Sequence, residues 1–93
     1  MDATLAWARS LFRRYYRRHA VLLPPRYGRR EFGFIFLGEK GMQRHTGFDT
    51  RKDLSQFMAA KGPAHAYYSV AYYEQPDATD MEAKGWMGAD LIF

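Results

Sequence analysis

Apolar positions recur along this chain with two different periods. Leu5, Ala8, Leu11 or Phe12, and Tyr15 lie three and four residues apart, which predicts an amphipathic helix over 3–19. Pro24-Pro25 ends any helical extension, and Arg26-Tyr27-Gly28-Arg29-Arg30 reads as a basic connection. From Glu31 to Leu37 the period becomes two, so Phe32, Phe34 and Phe36 share one face of a predicted strand. Gly33 removes a side chain from the other face, which suits either a bulge or the close approach of a backbone or a ligand. Gly38-Glu39-Lys40-Gly41 predicts a turn, and Met42 to Phe48 the return strand of a hairpin.

Asp49-Thr50 opens a second helix. Thr50 stands three residues before Asp53, as in a capping box with Asp in place of Glu, and Leu54, Phe57 and Met58 give the helix an apolar stripe. Gly62-Pro63 stops it. His65 to Glu74 carries the strongest strand pattern. Tyr68, Val70 and Tyr72 share one face, and Tyr67, Ser69, Ala71 and Tyr73 the other. Rings on both faces predict a covered, central strand. Gln75 to Asp80 is a polar loop ending in a helix cap at Asp80, Met81 to Lys84 a helical turn, and Ala89 to Phe93 a last strand.

Leu91-Ile92-Phe93 reads as the start of a buried strand, whereas a chain end is usually polar and frayed. The expectation is therefore the front part of a longer protein. The order α-β-β-α-β-turn-β predicts an α+β (mixed α/β) fold. It comprises an N-terminal basic helix, a β-hairpin, a helix and a central aromatic strand. We read residues 1–93 as a single partial domain, with a helix-rich basic segment 1–30 and a sheet-forming segment 31–93.

Composition changes this picture in two places. A hydrophobic share of 47% over 93 residues is enough for one core and argues against disorder. The absence of cysteine removes disulfides, Cys-based zinc sites and thiol nucleophiles. Charge is unevenly placed: residues 1–30 hold eight arginines against one acid, a net +7, and residues 31–93 a net −3. Such a cationic block points first to nucleic acid and second to an acidic protein surface. Arg13, Arg14, Arg17 and Arg18 are the candidate nucleic-acid contacts. The simpler reading of the same residues is a solvated arginine face on a helix docked against its own sheet.

Catalytic constellations are thin. His19, His45 and His65 have no metal-site spacing, Gly38 and Gly41 lack the Lys-Ser/Thr of a phosphate loop, and Ser10, Ser55 and Ser69 lack a nucleophile elbow. Asp77, Asp80 and Glu82 read as a solvated loop and cap. Arg44 on the return strand and Glu31 at the first strand's start come together if the hairpin forms. The pair is then either a cross-strand ion pair or a guanidinium aimed at a nucleotide phosphate, with Glu31 orienting it or touching a ribose hydroxyl.

Four stretches in order resemble the N-terminal part of the small, catalytic subunit of archaeal and eukaryotic-type DNA primase, in its archaeal form. They are Arg30-Glu31-Phe32-Gly33-Phe34, Gln43-Arg44-His45-Thr46-Gly47-Phe48, Tyr67 through Pro76, and Met81 through Phe93. The Tyr15-Tyr16 helix before a Pro-containing connection also fits. The resemblance implies an incomplete primase-type catalytic domain. The complete subunit would make short RNA or DNA primers on single-stranded DNA from nucleoside triphosphates, using Mg²⁺ or Mn²⁺ and an iron–sulfur large subunit, in the cytoplasm and without a membrane.

The resemblance also implies what this chain lacks. In the family, the segment like Gly88 to Phe93 leads into an Asp-x-Asp metal pair, and the chain stops at Phe93. Asp90 is no member of that pair and is expected to be a strand-start residue. No catalytic or metal-binding residue carries over, and no cofactor is expected in this chain. Glu31 and Arg44 match positions near the nucleotide site and carry over as nucleotide-binding residues, with Arg30 a weaker candidate. The alternative function is a small, non-enzymatic, basic nucleic-acid-binding module.

Overall fold

A computed structural model describes residues 3–19 and 22–90. Helix α1 spans Ala3–Arg18, and a single 3-10 turn follows at Tyr27–Arg29. Strands β1 (Phe32–Ile35) and β2 (Gln43–Thr46) form the expected antiparallel hairpin, with a register shift between Phe32 and Phe34. Helix α2 spans Arg51–Lys61, capped by the Thr50 side chain accepting from the Asp53 N–H at 3.1 Å and stopped by Gly62 in the left-handed region. Strands β3 (His65–Tyr68) and β4 (Ala71–Tyr73), helix α3 (Met81–Lys84) and strand β5 (Trp86–Ala89) follow. Asp80 caps α3 as expected. The fold is mixed α/β, with two small antiparallel sheets ordered β2-β1-β3 and β4-β5.

The core is built on the phenylalanine face of β1. Phe32 and Phe34 are buried with Phe48, Leu54 and Met58, and Tyr16, Phe36 and Phe57 pack around them. Ring pairs such as Phe34–Phe57 at 4.6 Å and Phe48–Phe57 at 5.3 Å lock this layer. Helix α1 lies against α2, where a Cβ at Gly62 would stand 2.7 Å from the Arg13 backbone nitrogen. Gly62 thus serves two needs at once, a left-handed stop and a helix–helix approach.

Three expectations change. The tyrosine segment is not one central strand: it divides at Ser69-Val70 into β3, exposed along its length, and β4 in the other sheet, and the centre of the first sheet is β1. The division has a local cause. The Ser69 carbonyl accepts from Arg30 Nη1 at 2.8 Å, and Val70 accepts from the Asp90 N–H across to the second sheet. Helix α1 docks on α2 with Leu5, Ala8, Phe12 and Tyr16 half-buried, while Leu11 and Tyr15 of the expected apolar face stay exposed, as does Trp7. The last strand begins at Trp86, and Asp90 follows it where a strand start was expected. The expected strand at 91–93 lies outside the described residues.

Candidate nucleotide-binding site

Two adjacent residues at the start of β1 organise the polar half of the molecule. Arg30 is extended, so Arg30 and Glu31 point to opposite sides of the chain. Both are buried. A buried charge is tolerated only when paired and hydrogen-bonded, and each of these is.

Arg30, 2% exposed, directs Nε to the Pro25 carbonyl at 2.9 Å, Nη1 to the Ser69 carbonyl at 2.8 Å and Nη2 to the Tyr72 hydroxyl at 2.9 Å. Nη1 also pairs with Asp90 Oδ2 at 2.9 Å, and the Tyr72 hydroxyl donates to Asp90 Oδ1. Rings of Tyr72 and Tyr68 lie 4.6 and 5.1 Å from the guanidinium carbon. Arg30 therefore ties β1, the Ser69 break, β4 and the end of β5 together. The Tyr72 hydrogen bond, then Arg30, hold the Asp90 carboxyl below its ordinary range, and the Asp90 hydrogen bond, then burial, push the Tyr72 phenol up.

Glu31 faces the other way. Its Oε2 accepts the His45 backbone N–H at 3.0 Å and lies 3.4 Å from Arg44 Nε, and its Oε1 lies 3.0 Å from Lys84 Nζ. Lys84 has no exposed surface, and its ammonium also meets His45 Nδ1 at 3.0 Å and the Ala78 carbonyl at 2.9 Å. With Glu31 these give the ammonium three polar neighbours. His45 Nδ1 also lies 3.8 Å from Glu31 Oε2, so its role in these contacts follows its tautomer. The Lys84 ammonium also lies over the Tyr73 ring at 5.0 Å. Burial raises the Glu31 pKa, but the His45 N–H bond and the Lys84 contact outweigh it, and the net shift is downward. His45 itself takes a left-handed backbone, φ 56°, at the bulged hairpin.

The result is an ionised carboxylate with fixed orientation at the floor of an open groove of about 210 Å³, walled by Gly33, Arg44, Tyr67, Tyr68, Ser69 and Tyr73. An ionised carboxylate only accepts hydrogen bonds, so a ligand must bring donors to Glu31. Arg44 is 62% exposed at the rim, where its guanidinium can meet an anion while it pairs with Glu31. Hydroxyl donors beside an anion are what a sugar phosphate presents.

The structure brings the two expected nucleotide-binding residues, Glu31 and Arg44, into one ion pair. Arg30 is turned away and fully engaged by the protein. The four helix arginines sit apart on α1: Arg14, Arg17 and Arg18 are exposed, while Arg13 is half-buried against Gly62. The sequence reading assigns no site role to Lys84 or His45. Of these, only Lys84 had a legible signal, a lone cation closing a four-residue helix just before a glycine stop. Among the described residues no group of three His, Cys, Asp or Glu side chains could hold a metal ion. The Asp90 carboxylate is taken by Arg30 and Tyr72, so these residues do not fit a metal centre.

No family model matches the chain. Individual relatives do. The DNA primase small subunit PriS of Methanocella arvoryzae is 46% identical over 99% of this chain and 24% of its own length. The PriS of Methanothrix thermoacetophila is 47% identical over 97% of the chain and 23% of itself, and that of Pyrobaculum aerophilum 49% identical over 88% and 26%. The resemblance to archaeal primase small subunits is shown across nearly the whole chain, and the chain spans about a quarter of the length of the curated relatives it matches.

Proposed function

We propose that this chain is the N-terminal portion of an archaeal-type DNA primase small subunit, and that its contribution there is one wall of the nucleotide site. The observation that carries this reading is the Glu31 carboxylate, held ionised by the buried Lys84 ammonium and the His45 N–H with Arg44 at its edge. Glu31 accepts a ribose hydroxyl and Arg44 meets a phosphate oxygen. The complete subunit joins nucleoside triphosphates into short primers on single-stranded DNA, with a large iron–sulfur subunit as its partner, in the cytoplasm. The arginines of α1, Arg14, Arg17 and Arg18 foremost, attract the DNA backbone, and Arg13 sits at the inner edge of that patch.

Divalent metal, Mg²⁺ or Mn²⁺, belongs to the complete subunit. This chain binds and orients; it does not join nucleotides. A primer-synthesis assay on the isolated chain with either metal ion should stay at background. Titration of the isotopically labelled chain with ATP should shift the amide resonances around Glu31 and Arg44. Arg44→Ala or Glu31→Gln should weaken that response at least tenfold. An unchanged response in both variants would remove the nucleotide from this groove.

A basic module that binds nucleic acid without any nucleotide site is the second reading, favoured by the exposed cations of α1. It predicts salt-sensitive DNA binding with no ATP response.

A further inference from the structure

We infer that Tyr67 is the platform on which the base of the bound nucleotide stacks, an assignment that rests on the reading of Glu31 and Arg44 just given. Tyr67 lies on the same side of the sheet as the carboxylate. It pairs across the strands with Gly33, and Glu31 and Gly33 alternate onto one face of β1. Gly33 places no side chain opposite the ring. Its nearest neighbour on that face is the flexible Met42 thioether, which an added Cβ would meet at 2.6 Å.

Two tyrosines on that side of the groove could take a base, and the structure separates them. Tyr73 already has the Lys84 ammonium over its ring. Tyr67 is 48% exposed on a strand that has no further neighbour among the described residues. Its one ring contact among the described residues is His65, two residues earlier, nearly parallel at 6.3 Å and 24°. Tyr68 also borders the groove, but it pairs with Phe32 on the other face of the sheet and its ring is occupied by the Arg30 guanidinium at 5.1 Å. A half-open ring beside a hydroxyl acceptor and a guanidinium matches the three parts of a nucleotide: base, sugar and phosphate.

A flat aromatic surface grips every base through its π-face and reads none of their edges. The ligand class is therefore any nucleoside phosphate, without preference between complementary bases, as a site that must follow a template requires.

The test uses nuclear magnetic resonance titrations of the chain with two probes, ATP and ribose 5-phosphate. Tyr67→Ala should weaken ATP roughly 5- to 150-fold, the range for losing one base–aromatic stack. It should leave ribose 5-phosphate unchanged, which also shows that the variant is folded. Tyr67→Phe should bind ATP within about twofold of the unaltered chain, since the ring and not the hydroxyl makes the stack. If Tyr67→Ala binds ATP normally while Arg44→Ala does not, the base assignment fails and the nucleotide site stands. If neither substitution affects ATP, or ATP produces no response at all, both fail together.

Discussion

Helix α1 and the start of β1 carry cations of the same chemistry in opposite circumstances. On α1, Arg14, Arg17 and Arg18 stand in solvent with no ion pair among the described residues. At β1, Arg30 and, from far along the chain, Lys84 are buried to the last few per cent and each held by several polar partners. The first group dominates the charge count, and the second determines the geometry. Solvated cations act over a Debye length of about 8–10 Å and are screened by salt, so they gather a polyanion without placing it. Desolvated cations hold particular oxygen atoms and fix a carboxylate in position.

The contrast should be widest for Lys84→Met. Removing one member of a buried ion pair costs about 3–5 kcal/mol, because the partner charge is left uncompensated. Denaturant unfolding should show that loss; a change below about 1 kcal/mol would mean the cluster relaxes to water. Arg30→Lys comes next. A lysine cannot reproduce the forked contacts to Pro25, Ser69, Tyr72 and Asp90, and hydrogen bonds to charged groups are worth about 1.5–3 kcal/mol each, so a loss of about 2–3 kcal/mol is expected in the same measurement.

A smaller, graded effect follows from pH. The Glu31 pKa is lower in the folded chain than in the unfolded one, so the unfolded chain holds more protons in the acid range. The stability Glu31 contributes is full above the ordinary glutamate value of about 4.3 and is lost as pH falls through the lower folded value. Thermal melts between about pH 5 and 2 should trace that loss, and a melting temperature flat across the window would contradict the Lys84–Glu31 pairing.

Least affected should be the stability of a variant with Arg14, Arg17 and Arg18 all changed to Gln, within about 0.5 kcal/mol per site. Its single-stranded DNA binding should nonetheless lose about 2 from the slope of log affinity against log salt, at about 0.7 per phosphate contact. An unchanged slope would leave those arginines as a solvated face only.

What could be read in advance divides along the same line. The Phe32-Phe34-Phe36 alternation, the Thr50 cap and the Gly62 stop are local signals, and each marked its element within a residue or two. Glu31 and Arg44 were legible because a hairpin brings near neighbours together in a known register. The tyrosine segment misled because its pattern is continuous while its hydrogen bonds are not. Ser69 gives its carbonyl to Arg30, and its hydroxyl accepts the Glu31 N–H. Lys84 could not be placed in advance because a lysine is rarely buried, and its partner stands 53 positions earlier. Asp90 is similar: its role comes from Arg30, sixty residues away, and not from its place beside a strand.

The full burial of Lys84 has a consequence for the chemistry of the chain's amines. Lys40, Lys52 and Lys61 are exposed and remain open to acylating reagents. The Lys84 nitrogen has no exposed surface and is surrounded by Glu31, His45 and Ala78, so an electrophile cannot reach it while the cluster is closed. Of the four lysines it is the one whose modification would date the opening of the groove floor, a reporter already present in the native sequence.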